Sequence, residues 1–572
     1  MWYKTKTTLL FGLAVSPLQS ALAQKVDLSW HAPSKTLVNN LTNVLSDSGV
    51  YGFIYDSSET PDTEYGTYNW CNMPHVRKAE YVKPSSDYEL KYVELMQRHH
   101  KRTPYSSNAF PVEPYQWNCD DQGLYYFGRP FGGKDAAQGY WDGYISPINP
   151  FKPSGWIGSC QFPQITASGL DDSWQHGQDL YEVYHDLLGF LPGRSEDWRS
   201  KVTYRVTTNV ITSQVAGMVI NGMWGATDSV PLTVQASAVD SLEPTYSCGV
   251  SSNLFNAIKS NSNSDWAAHL TAAQSLYATL DDISGVSPSD SGFHASFDHY
   301  YDNLSARQCH QKPLPCKLVG GANSTTCVTQ DMAEAVYRLG NWEYSQIYRD
   351  APASLAASAA SLGVWVAELA AHLRAAVSGN SPTLYLHNVA HDGSVSRLLS
   401  VLQIDAMVWP GMGSEVVFEL WRKKKGDETP TPTPSPGVVA PGCSHNNCLR
   451  QMIRQSASAS AFCPTFTAAS AASAVPTWLS NCKGSAEAVA SACACVVTPT
   501  QAAPTPTAGA TTGGDGGYYV RVLFGGKVLK SSNPSLGVMD MVPVETLLAY
   551  FDGLAGEGAS LVKGKCDGSI AV

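Results

Sequence analysis

The sequence predicts an α/β protein, and three observations carry that expectation. Helix-length apolar runs such as ASLAASAASLGVWVAELAAHLRAAV (353–377) alternate with strand-like runs such as DYELKYVELMQ (87–97) and SPTLYLHNVA (381–390), the alternation that builds layered α/β folds. With 572 residues, 43% of them hydrophobic and 15% charged, the chain can build a large core with at least one appended or inserted unit. The net charge of −11 argues against nucleic acid as a partner.

Taken in order, the chain opens with Lys4 and Lys6 ahead of LLFGLAVSPLQSALA, which ends in Ala21-Leu22-Ala23. This is the pattern of a secretory signal peptide, 1–23, cleaved before Gln24. A membrane anchor fits less well because the run is short and holds Pro17, and no later segment reads as a membrane span. The expected location is therefore secreted, extracellular or in a cell wall, where fourteen cysteines read as disulfides. Asn40, Asn303 and Asn323 head Asn-x-Ser/Thr acceptors, expected as glycan sites on surface loops. Residues 24–87 form an N-terminal extension without an assigned role.

Tyr88, Leu90 and Tyr92 alternate with polar neighbours and the run turns apolar at Val93, so a strand should enter the core and emerge near Gln97. KVTYRVTTNVITSQVAG (201–217) reads as a strand, a Thr-Asn turn and a helix. SPTLYLHNVA is a strand that stops sharply before a helix. Ser394 is the expected cap of that helix, and Val395, Leu398, Leu399 and Leu402 share its inner face. SEVVFELW (414–421) and YYVRVLF (518–524) have strand composition and are expected as neighbours in one sheet. Between them lie Pro/Thr-rich linkers, 426–442 and 498–516, around a cysteine-rich module, 443–497. Its six cysteines and the helical spacing of Leu449, Met452 and Ile453 predict a small stapled helical unit. A zinc site is the rival reading, but the spacings lack paired C-x2-C. The main domain is thus expected in two parts, 88–425 and 517–572.

The chemistry gathers at two strand ends. Arg98-His99-His100-Lys101-Arg102-Thr103-Pro104 follows the first strand, and ligands of open α/β sheets bind outside strand carboxyl ends. R-H-x-x-R supplies two guanidiniums able to grip phosphate oxygens and one imidazole between them able to attack phosphorus. A neutral nucleophile facing an anion needs such fixed positive charge. His391 and Asp392 lie at the second strand-to-helix junction, where free N–H groups favour an anion. A carboxyl there, its pKa raised beside a phosphate, can protonate a leaving oxygen. Alone, the first stretch is an ordinary basic surface run, and His391 and Asp392 are a loop histidine and a capping residue. Together they point to phosphate.

These residues resemble the branch of histidine acid phosphatases that includes fungal phytases and lysosomal and lysophosphatidic acid phosphatases. The family's R-H-G-x-R-x-P motif is similar to Arg98–Pro104, and its late His-Asp motif to His391-Asp392. LDDSWQHGQDLYEVYHDLLGFLP (170–192) and GSEVVFELW (413–421) also suit it. The resemblance covers most of 88–421 and resumes near 518, while the cysteine module is similar to small segments of secreted fungal proteins. It implies a mixed α/β sheet flanked by helices, of phosphoglycerate mutase-like fold, with a smaller helical cap domain at about 211–378. It implies hydrolysis of a small-molecule phosphate ester, with His99 as nucleophile and Asp392 as acid. Arg98, Arg102 and His391 form the clamp, and no metal or other cofactor takes part.

Two departures stand out. His100 replaces the motif glycine and is expected to point outward from its strand. The family's third arginine is missing, since alignment on the Thr-Asn turn places Ile211 or Thr212 there. Arg205, upstream, reads as structural, and Lys101, His100 or Gln214 are candidate substitutes. Loss of one such donor costs about 3 to 4 kcal/mol of transition-state stabilisation. The competing readings are an inactive relative that binds phosphorylated ligands or the cell wall through its cysteine module, and a metallohydrolase using His99, His100, His391 and Asp392. A mutase is disfavoured by the leader, because phosphoglycerates are intracellular.

Overall fold

The computed structural model describes residues 26–50, 69–424 except 113, 114, 145 and 153, and 517–572; within 425–516 it describes chiefly 447–454 and 485–497. The expected leader and both Pro/Thr linkers lie outside the described residues, save Val438 and Val439. Cα packing divides the chain into two compact units, one of Gln24–Lys424 with Gly516–Val572 and one that takes in Lys425–Asp515.

The larger unit is built on an eight-stranded mixed sheet. Its strands are β1 (Tyr88–Arg98), β2 (Val202–Val206), β3 (Leu232–Val234), β4 (Tyr385–Ala390), β5 (Glu415–Lys423), β6 (Tyr518–Phe524), β7 (Lys527–Val528) and β8 (Val542–Pro543). They lie in the order β7-β6-β5-β1-β4-β2-β3, with β8 also on β6. β1 runs parallel to β4 and antiparallel to β5. It lies in the middle of the strand order, and its continuous burial from Tyr92 onward is what a strand covered on both faces requires. β5 and β6 pair along their length, Val417 opposite Leu523 and Glu419 opposite Arg521, so the sheet is continuous across 425–516.

Helices cover both faces. On one lie α1 (Ala167–Tyr181) and α2 (Val210–Trp224), packed with Leu180, Val215 and Val219 against Val93, Leu95 and Val389. On the other, α5 (Ala353–Val377), α6 (Asp392–Val401) and α7 (Val544–Ala555) bury Trp365, Leu398 and Leu547 against Met96, Phe418 and Val520. A separate aromatic-rich core holds α3 (Asp298–Cys309) and α4 (Gln330–Ser345) with Trp70, Tyr301, Trp342 and Trp409. The stretch 211–378 expected as the cap therefore divides: α2 and α5, at its ends, belong to the sheet-covering layers because their apolar faces are buried there. Disulfides tie distant segments at Cys71–Cys309 and Cys248–Cys566 and close shorter loops at Cys119–Cys160 and Cys316–Cys327.

Three expectations need correction. Ser394 does not cap α6: His391 holds the cap position, and Ser394, inside the first turn, donates its hydroxyl to the Leu242 carbonyl at 2.7 Å. Asn303 is on no surface loop, being buried in α3, where it donates to the Asn108 carbonyl and accepts from Arg307; Asn40 and Asn323 are exposed. Among the described residues one later segment, α5, is long and apolar enough to cross a membrane, and 78% of its most apolar window is buried inside the protein.

The smaller unit has helices Asn447–Arg454 and Ala486–Cys495, stapled by Cys448–Cys482 and Cys463–Cys493 around Leu449, Met452, Leu479 and Val489.

Candidate active site

The parallel pairing of β1 with β4 sets Arg98 opposite Ala390, so the residues that follow leave the sheet side by side at its carboxyl edge. The His99 N–H donates to the Ala390 carbonyl at 3.0 Å, which ties the two strand ends together. His99 and His391 face each other with ring centroids 5.5 Å apart. Both loops that carry the expected chemistry thus meet at one place.

His99 is only 1% exposed, but charged groups surround it. Its Nδ1 lies 3.0 Å from the His100 carbonyl oxygen, which only accepts, so that nitrogen carries the proton. Nε2 then holds a lone pair and has no hydrogen-bond partner among the described residues. Burial, followed by the charges of Arg102, Arg98 and His391, holds the imidazole well below its ordinary pKa. The neutral form of the ring is thereby favoured.

The two arginines and His391 each have a carboxylate beside them. Arg98 Nη2 is 3.2 Å from Asp392 Oδ2, Arg102 Nη1 is 3.0 Å from Asp302 Oδ1, and His391 Nε2 is 3.4 Å from Glu243 Oε2. Arg98 also donates to the Pro410 carbonyl and lies over the Trp70 ring at 4.8 Å, and Arg102 lies over Tyr105 at 4.3 Å. The Asp392 side chain keeps 23% of its exposure. It accepts from the Trp409 indole at 2.8 Å, the Tyr344 hydroxyl at 3.2 Å and the Gly393 N–H at 2.8 Å. Burial pushes its carboxyl up, but the Arg98 charge, the Trp409 bond and the Arg102 charge outweigh this and hold it at about 2. Before any phosphate arrives Asp392 is ionised, whereas the expected general acid carries a proton.

Ile211 and Thr212, at the missing arginine's place, are fully buried in the first turns of α2. Of the suggested substitutes, Lys101 and His100 are already engaged, and Gln214 is held through its side-chain oxygen. Lys101 pairs with Asp172 at 3.0 Å, and Gln214 accepts from the Ile165 N–H at 3.2 Å. Arg205 is engaged by Glu368 and Ser241, as a structural residue. His100 points inward, not outward: it is fully buried, with Nε2 3.1 Å from His176 Nδ1. The bulk is accommodated because residue 413 is glycine. At φ +72°, a Cβ there would come 2.3 Å from the His100 ring.

Sequence reasoning missed Glu243, Asp302, Trp409, Tyr344 and Asp298. Trp409-Pro410-Gly411 carries a turn signal just ahead of SEVVFELW and marks the loop that supplies Trp409. Nothing in the pattern marks the acids. Asp298, one turn before Asp302 on α3, is half-buried. Burial, with the charges of Asp302, Asp392 and Glu343, pushes its carboxyl up to about 7. Among the described residues no group of three or more His, Cys, Asp or Glu is arranged to hold a metal ion.

No family model matches the chain. Counting factor 60 of Dictyostelium discoideum is 26% identical over 352 residues, 59% of this chain and 77% of that protein. Among solved structures, the phytase from D. castellii aligns over 85% of this chain and 84% of its own, at 12% identity and a TM-score of 0.40. The apo Hafnia alvei phytase covers 60% and 83% at 14% identity and a TM-score of 0.39. The apo Bifidobacterium longum multiple inositol polyphosphate phosphatase covers 65% and 94% at 10% identity and 0.35.

Proposed function

We propose that this chain is a secreted acid phosphatase that hydrolyses phosphate monoesters through a phosphohistidine. The observation that supports the reading is the state of His99: its Nδ1–H is held by a backbone carbonyl, its Nε2 is unbonded, the charges of Arg102, Arg98 and His391 act on the ring, and Arg98 pairs in turn with Asp392. In the first step the Nε2 lone pair forms the N–P bond as the ester P–O bond breaks. The departing oxygen takes a proton from Asp392. In the second, water attacks phosphorus and returns a proton to the Asp392 carboxylate, and the P–N bond breaks to release phosphate and neutral His99.

Asp392 obtains its proton from the substrate. A phosphate monoester has a second pKa near 6 and enters mildly acidic solution as a monoanion carrying one proton. Once its oxygens accept from Arg98 and Arg102, those cations no longer hold the carboxyl down. The proton moves to Asp392 Oδ, and the bound phosphoryl group becomes the dianion. This favours turnover below about pH 6.

The domain reading follows from the same account: 88–425 and 517–572 form one phosphatase domain, and 443–497 with its linkers is a tether for the wall or a partner. The N-terminal leader and the paired cysteines support export. Turnover of para-nitrophenyl phosphate by wild type and His99→Ala tests the chemistry. Activity that survives the substitution removes His99 as the nucleophile.

A second reading has its own observation. Each clamp residue already has a carboxylate beside it, and Ile211 or Thr212, both buried, stands where the third arginine is expected. A site so neutralised fits a phosphate-binding protein with little turnover. Vanadate binding without ester hydrolysis would select it.

A further inference from the structure

The loop closed by the Cys119–Cys160 disulfide exposes an aromatic surface that neither the fold nor the candidate active site uses. Its hairpin pairs Leu124-Tyr125 with Tyr140-Trp141. Tyr125 is 58% exposed, Tyr140 62%, Trp141 52% and Tyr144 81%. Elsewhere Trp70, Trp117, Trp266, Trp342 and Trp365 are fully buried, so the chain has cores for its large rings and does not place these in one. The exposed rings hold one another in place: Trp141 stacks on Tyr126 at 4.2 Å, and Tyr125 lies against Tyr140 at 5.8 Å. Clustered exposed apolar surface of this kind marks an interaction site.

Polar groups beside the rings narrow the class of ligand. Tyr140 and Trp141 border a cavity of about 150 Å³ that Asp120, Gln122, Gln161 and Gln164 also line. The Gln122 side-chain nitrogen, shut off from solvent, has no hydrogen-bond partner among the described residues. A second cavity, of about 610 Å³, shares Trp141, Asp142 and Gln161. Among the described residues no lysine or arginine lines either one, which disfavours anionic lipid, nucleic acid and phosphate. Carboxylates and amides that fix orientation, set beside flat apolar surfaces, suit a neutral polyol with one apolar face.

We infer that this loop is a binding site for a neutral polysaccharide. The C–H face of one sugar ring lies on Trp141, its hydroxyls donate to Asp120 and Asp142, and adjoining rings continue into the larger cavity. The site would hold the protein on a glycan matrix, independently of whether His99 turns over esters.

The test uses the full chain in pull-down on insoluble curdlan, cellulose and chitin, with titration of the matching soluble hexaoses. We expect depletion on at least one of them, unchanged in 1 M NaCl because the ligand is uncharged, with the hexaose altering tryptophan fluorescence. Trp141→Ala and Asp142→Asn should each weaken binding at least tenfold while melting temperature and para-nitrophenyl phosphate turnover stay at the wild-type level. The inference is overturned if no neutral polysaccharide is bound, or if Trp141→Ala binds as wild type does. Trp141-dependent capture by phosphatidylcholine vesicles in place of glycan also overturns it. If Trp141→Ala misfolds, Asp142→Asn and the wild-type fluorescence titration decide.

Discussion

Replacing Glu243 by glutamine should strengthen phosphate binding. The carboxylate lies 3.4 Å from His391 Nε2, the nitrogen a phosphate oxygen would engage, and its side chain is 38% exposed. Burial pushes Glu243 up, yet its bond to His391 and the His391 charge bring its carboxyl below the ordinary value, so it is ionised wherever the site would work. A phosphoryl charge about 5 Å away would feel a repulsion of about 3 kcal/mol at an effective dielectric of 20. Exposure and salt reduce that to about 1 to 2 kcal/mol. Glu243→Gln should therefore tighten inhibition by inorganic phosphate and vanadate by about 5- to 30-fold. The gain should shrink as ionic strength rises. Competitive inhibition constants at pH 5 to 7, with para-nitrophenyl phosphate as reporter, give the answer. An unchanged or weaker constant would show that Glu243 positions His391 and does not compete with phosphate.

Further expectations follow from the same geometry. Asp392→Asn should lower kcat by about 10² to 10⁴ for alkyl phosphates, and by less for para-nitrophenyl phosphate, whose leaving group needs no proton; equal losses on both would deny Asp392 the role of acid. Gly413→Ala should cost about 2 to 4 kcal/mol, because the residue sits at φ +72° and the added carbon meets His100. A melting temperature within a degree of wild type would contradict the packing described. His99, His100, His176 and His387 are all held below the ordinary imidazole value, by burial first. Above about pH 6.5 they are neutral in both folded and unfolded chains and contribute no slope. Below it the unfolded chain takes up protons that the fold refuses, so stability falls with pH by about 1.4 kcal/mol per group per pH unit. His100→Gly should remove one group's share, so that its urea stability between pH 6.5 and 5 falls less steeply than that of wild type. An identical slope would refute the assignment.

The sheet and the two loops were legible because their signals are local. Strand periodicity from Tyr88 to Gln97 and from Leu384 to Ala390, each followed by charged and imidazole groups, is enough to place His99 and His391 at strand ends. The pairing of β5 with β6 was legible from composition on either side of the Pro/Thr segments. Of the carboxylates beside the clamp, Asp392 was legible and Glu243 and Asp302 were not. Glu243, Asp302 and the acid on Asp298 reach the site from segments far away in sequence, and an acidic side chain on a helix or loop looks the same whether it faces solvent or an arginine. His100 misled for a related reason: strand alternation continued past Arg98 would turn it outward, but β1 has already ended, and Gly413 leaves room for the ring to turn in. Asn303 shows that an acceptor sequence carries no information about burial, and Ser394 that a cap residue one turn too late finds another partner.

Rapid acid-quench of the enzyme with a phosphorus-32-labelled monoester tests the central claim most directly. The account predicts protein-bound label that is acid-labile and base-stable, maps to the peptide containing His99, accumulates further in Asp392→Asn with para-nitrophenyl phosphate, and vanishes in His99→Ala. Ester hydrolysis by wild type with no such label, or label that persists in His99→Ala, would contradict it.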